Sequence, residues 1–113
     1  MQKEKRGFDH LTRTTRHGVG ALAMEIKVGR KKKGWTQAEL ASRTGCSRLT
    51  IVAIEGGKPT VAIGHVLEAA HMVGLDVFGG PPTAITRFER GKEINAIFPS
   101  RISGKPTEID DDF

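Results

Sequence analysis

The chain has 113 residues, of which 37% are hydrophobic, enough for one modest core and too few for two. No run of 18 apolar residues occurs, and the charged N-terminus carries no apolar stretch ahead of a cleavage site, so the composition points away from membrane spans and secretory leaders and toward the cytoplasm. The single cysteine, Cys46, excludes an internal disulfide and reads as a small buried hydrophobe. A net charge of +5 and a pI near 9.7 suggest an anionic partner. The charge is polarised: residues 1–34 hold ten Lys/Arg against three Asp/Glu, while four acids crowd into the last six positions, Glu108 to Phe113.

Residues 1–19 are rich in Lys, Arg, Thr and Gly and poor in apolar side chains, which predicts a flexible basic arm. From residue 20 the pattern changes. Leu22, Ile26 and Gly29 recur at i, i+4 and i+7 and predict a first helix over Ala21 to Lys33, stopped at Gly34. Thr36-Gln37-Ala38-Glu39 is a capping box, in which hydroxyl and carboxylate exchange hydrogen bonds with each other's backbone N–H, so a second helix starts there and closes at Gly45. Trp35, just before the cap, stands where a hydrophobic staple against Leu40 belongs. Ser47 is the next N-cap, and Ile51 and Ile54 mark the inner face of a short third helix ending near Gly56-Gly57. Two short helices joined by so few residues must cross steeply. After the Lys58-Pro59-Thr60 loop, Ile63, Val66, Leu67, Ala70 and Val73 form the stripe of a fourth helix ending at Gly74. The alternation of Leu75-Asp76-Val77-Phe78 predicts a short strand closed by Gly79-Gly80-Pro81-Pro82. Residues 81–113 show no sustained periodicity and read as an extension of uncertain order with an acidic end.

A capped helix, a glycine turn and a second capped helix over Thr36 to Glu55 form the pattern of a helix-turn-helix. Such a pair suits a major groove about 12 Å wide: the second helix projects its outer face into the groove while the first braces it across the backbone. On Leu22, Ile26, Arg30, Gly34, Thr36-Gln37, Glu39-Leu40-Ala41, Gly45, Ser47, Ile51, Ile54-Glu55, Gly57-Lys58, Leu67 and Gly74-Leu75, residues 22–78 resemble the Xre/Cro-type helix-turn-helix family of phage and bacterial repressors. Within that family, Gly57-Lys58-Pro59-Thr60-Val61, Val66-Leu67 and Gly74-Leu75-Asp76-Val77 look most like HipB-like antitoxins.

The resemblance implies an all-α, lambda-repressor-like bundle of four to five short helices over residues 20–80, with a short C-terminal strand paired across a homodimer through Leu75, Val77 and Phe78. It implies a double-stranded DNA operator as ligand and transcriptional repression as function, with a HipA-like kinase toxin as a further partner or, alternatively, a stand-alone regulator with none. By position it assigns Gln37 to a backbone phosphate and to the ordering of the recognition helix, and Arg48, Leu49, Val52 and Ala53 to the base-facing side. Ser47, Thr50, Lys58, Lys31 and Lys32 complete the DNA-binding set, and Arg30 with Glu55 form a structural ion pair. Only Arg48 among the base-facing residues can grip guanine with two hydrogen bonds; the others offer apolar contact to thymine methyls, or else pack on a protein. The terminal Phe113 after three aspartates resembles the exposed aromatic end that marks HipB-like antitoxins for degradation. His10, His17, His65 and His71 are scattered without ligand spacing, and neither a nucleophile constellation nor a phosphate-binding loop is present, so no enzyme, metal or cofactor is expected.

Overall fold

The computed structural model describes residues 10–101. They form five helices in chain order: α1 (Arg13–Lys32), α2 (Gln37–Thr44), α3 (Arg48–Glu55), α4 (Ile63–Met72) and α5 (Pro81–Ile97). The first nine residues of the basic arm and the acidic end, including Phe113, lie outside the described residues. The chain divides between Val77 and Phe78 into two compact units, the first holding α1 to α4 and the second α5.

In the first unit α2 packs on both α3 and α4, and α1 packs on α3. The core draws from every helix of that unit: Ile26 from α1, Leu40 and Ala41 from α2, Ile51 and Ile54 from α3, and Ala69 and Ala70 from α4, with Val73 just beyond it. Ile26, Leu40 and Ile51 are wholly buried, each contributing about 1.5–3 kcal/mol by removal from water. Trp35, Cys46, Val61 and Leu75 pack around this centre half-buried.

Three elements differ from the sequence expectation. The first helix begins at Arg13, eight residues before Ala21, because Thr12 caps it: its hydroxyl accepts from the N–H of Thr15 at 3.2 Å. Extending a helix already nucleated by packing costs little even where the added turns are exposed. Residues 75–78 are not a strand. Gly74 takes φ 88°, which lets the N–H of Leu75 bond Ala70 O at 2.9 Å and its own N–H bond His71 O at 3.0 Å. That is a Schellman cap on α4, and it turns Leu75 inward onto the core, so the alternating apolar pattern reflects a helix ending and not a strand edge. Beyond it, Pro81 and Pro82 open α5 instead of closing a turn, since the missing N–H groups of proline cost nothing in a first helical turn.

The close approach of α1 to the end of α4 depends on Gly29, where an added Cβ would lie 2.9 Å from both Cβ and Cγ2 of Val73. Gly29→Ala is expected to destabilise the fold by about 1–3 kcal/mol despite the better helix propensity of alanine. Gly18→Ala, with nothing within 4 Å of the new atom, is expected to stabilise it by about 0.5–1 kcal/mol. Urea unfolding of the two variants side by side checks both signs.

Candidate nucleic-acid interface

The site is built on α2 and α3. At the start of α2 the capping box closes in both directions, Glu39 N–H to Thr36 Oγ1 at 3.0 Å and Thr36 N–H to Glu39 Oε1 at 2.7 Å. Gly45, in the left-handed conformation at φ 82°, ends the helix, and Cys46 and Ser47 complete the turn into α3. Burial pushes the Cys46 thiol up, in keeping with a packing role. Ser47 then caps α3 by accepting from the N–H of Thr50 at 3.1 Å, and the two hydroxyls lie 3.0 Å apart.

The inner side of α3 carries Ile51, Ile54 and Glu55, all buried. A carboxylate with a side chain only 1% exposed needs full compensation. Arg30 supplies it with a forked contact, Nε to Oε2 at 2.6 Å and Nη2 to Oε1 at 3.0 Å, while its Nη1 donates to Trp35 O at 2.8 Å. The hydrogen bonds to Glu55 hold the guanidinium further above its ordinary range, so the pair keeps its arginine charge at every working pH. Gln37 Nε2 adds a third bond to Glu55 Oε1 at 3.1 Å. One carboxylate at the end of α3 therefore ties down α1 and the first residue of α2.

The outer side of α3 is free. Arg48, Leu49 and Val52 are exposed, Leu49 by 72%, and Ser47 is exposed at the cap. Thr50 and Ala53 are half-buried and offer less surface than Leu49 or Val52. Lys31 and Lys32 are exposed in the last turn of α1, next to Arg30, and Lys58 is exposed three residues beyond Glu55. Of the residues expected to pair two copies, Leu75 is turned into the core margin, and Val77 and Phe78 are exposed.

One contact is foreshadowed only in part and another not at all. The resemblance assigns Gln37 to the ordering of the recognition helix, but it does not name the Glu55 carboxylate as the group that its amide engages. Trp35 packs on the cluster that contains Leu40 and also carries the Arg43 guanidinium 4.2 Å above its ring, with Lys33 Nζ at 5.7 Å. A tryptophan before α2 and an arginine in its last turn are the only sign of that stacking in the residues themselves. Among the described residues no helix is long and apolar enough to cross a membrane.

Residues 21–77, half of the chain, match the helix-turn-helix domain family. A 59-residue stretch, 52% of this chain, is 37% identical to an HTH-type transcriptional regulator of Sinorhizobium fredii and covers 74% of that protein. A 47-residue stretch, 40% of this chain, is 43% identical to an HTH-type transcriptional regulator of Methanothermobacter thermautotrophicus and covers 68% of it. No solved structure matches the chain. The protein belongs to the helix-turn-helix domain family.

Removing Arg30 would leave Glu55 charged, buried and short of two hydrogen bonds. Arg30→Ala is expected to cost about 3–5 kcal/mol of unfolding free energy, measured by chemical denaturation at neutral pH. A loss below about 1 kcal/mol, the range of an exposed pair, would show that the contact is not the structural tie described here.

Proposed function

We propose that this protein is a sequence-specific DNA-binding transcriptional repressor that acts as a homodimer, with α3 as its recognition helix. The observation that carries this reading is the fixed inner side of α3 set against its exposed outer side. Arg30, Gln37 and Glu55 anchor the helix, while Arg48, Leu49 and Val52 remain open to solvent. Pre-organisation of this kind limits the ordering entropy that binding would otherwise cost. The HTH-type regulators to which the chain is similar support the same reading.

In this reading Arg48 donates two hydrogen bonds to a guanine edge, and Leu49 and Val52, with a smaller share from Ala53, contact thymine methyls. Thr50 braces the Ser47 cap. The exposed cations Lys31, Lys32 and Lys58 hold backbone phosphates, together with the remaining donor hydrogen of the Gln37 amide and the free N–H groups at the start of α3. A two-fold dimer reads two half-sites about 34 Å apart, so the operator is palindromic.

A finer reading is an autoregulating antitoxin paired with a HipA-like kinase. What supports it is the resemblance of Gly57-Lys58-Pro59-Thr60-Val61 and the residues after it to HipB-like proteins. Its test is co-purification of the full chain with the product of a neighbouring kinase-like reading frame, together with footprinting of the shared promoter. Failure of the first with success of the second leaves a stand-alone repressor.

Mutants should separate into two classes. Arg48→Ala is expected to cost about 1–3 kcal/mol on the cognate operator and to relax preference at one base pair in a competition assay. Lys31→Gln and Lys32→Gln are expected to weaken binding to all sequences alike and to flatten the salt dependence by about one unit of slope for each phosphate no longer neutralised. Unchanged operator preference in Arg48→Ala would overturn its assignment.

A further inference from the structure

Helix α1 starts at Arg13, whereas the matched helix-turn-helix domain starts at residue 21. The added turns bury almost nothing: within residues 13–20 only Val19 is half-buried and the rest are exposed. What they add is positive charge, Arg13 and Arg16, with no acid in the first turn to suit the helix dipole. Between residues 10 and 77 every Lys and Arg lies from Arg13 to Lys58, while residues 59–77 carry Glu68 and Asp76 and no Lys or Arg.

The positions on the helix show where that charge faces. At about 100° per residue, Arg13, Arg16, Lys27 and Lys31 fall within one arc of about 60°, spread over roughly 27 Å of α1. Arg13, Arg16 and Lys31 are exposed and Lys27 is half-buried. Glu25, the single acid of α1, stands about 120–180° away from each of them. Neighbouring contacts orient the arc. Arg30, at its margin, reaches Glu55 at the end of α3, while Gly29, on the far side of the helix, meets Val73 beyond α4. The cations therefore stand on the α3 side of α1. Arg16 also lines a cleft of about 310 Å³ whose opposite wall is Gly56, Gly57 and Pro59, the residues that flank Lys58. Among the described residues none of the four cations has a carboxylate partner.

We propose that this face of α1 is a second contact surface for duplex DNA, in which Arg13, Arg16 and Lys27 carry backbone binding from Lys31 at one end to Lys58 at the other. Like charges gathered in a line without counterions repel one another, and a linear anion relieves that repulsion along the whole stripe. A duplex presents one negative charge per about 1.7 Å of its axis, whereas a small anion would engage only one or two of the cations. The surface is continuous with the phosphate contacts assigned above to Lys31 and Lys58, and half of it lies outside the matched domain. Contacts of this kind fix position and strengthen binding without reading bases. The inference rests on the DNA-binding reading above and extends its surface.

The test measures binding of the full chain across a salt series, to a random-sequence duplex and to the tightest-binding duplex selected from that pool. The double variant Arg13→Gln/Arg16→Gln is expected to lose at least tenfold in affinity for both at low salt, with the slope of log K against log salt smaller by about two. The ratio of the two affinities should not change. Arg13→Lys/Arg16→Lys should keep the wild-type slope, and Glu25→Gln, on the other side of α1, should leave it unaltered. Circular dichroism and urea unfolding establish that each variant is folded, and the lysine pair keeps the test open should the glutamine pair fail to fold. An unchanged slope in the glutamine pair, a loss confined to the selected duplex, or a lower slope in the lysine pair would overturn the stripe while leaving DNA binding by α3 standing. Loss of binding to single-stranded RNA with duplex binding intact would also overturn it. A wild-type chain that binds neither duplex would overturn both readings.

Discussion

The arrangement of the helix-turn-helix hangs on the carboxylate of Glu55. A charged group taken out of water at the end of an eight-residue helix is tolerable only with its lone pairs filled, and three donors from two other segments fill them. The consequence is geometric more than energetic. A short helix packed only through Ile51 and Ile54 could slide or roll on the apolar core, because dispersion contacts are nondirectional. A forked guanidinium has one orientation, and the Gln37 amide fixes the start of α2 to the same point. The angle at which α3 stands away from α2 is thereby set before any ligand arrives.

Around that tie the packing is economical. The buried side chains are mostly small or medium, with alanines on α2 and α4 where helices approach and a glycine on α1 where Val73 sits against its backbone. Small residues at crossings let four short helices share one core without long side chains to fill gaps. The caps do the rest: Thr12, Thr36 and Ser47 each satisfy a backbone N–H at a helix start, and the turn after α4 feeds Leu75 back to the core margin. Polar residues at helix ends and apolar residues at crossings leave the outer side of α3 with no structural duty.

The second unit follows a different logic. Its helix is started by prolines and held by scattered surface contacts, with its large apolar side chains exposed.

Local chemistry was enough to locate α2, α3 and α4 from the sequence, because capping hydroxyls, the Glu39 partner and helix-ending glycines act within a few residues of where they stand. Arg30 and Glu55 were also legible, through the positions they share with a known family. The misread places are those where distant contacts choose between local options. The run from Leu75 to Phe78 alternates like a strand, but with no strand beside it among the described residues to bond its backbone, the Schellman cap and the pull of the core on Leu75 win. The stretch before Ala21 has too few apolar residues to predict order, yet a helix anchored at Ile26 extends back to the Thr12 cap. The helix over Pro81–Ile97 was not legible, because its apolar residues recur every three positions and give almost no one-sided hydrophobic signal. The role of Gln37 in ordering the recognition helix was legible through the family, but its bond to Glu55 was not, since the chain between residues 37 and 55 has to fold before the two groups meet.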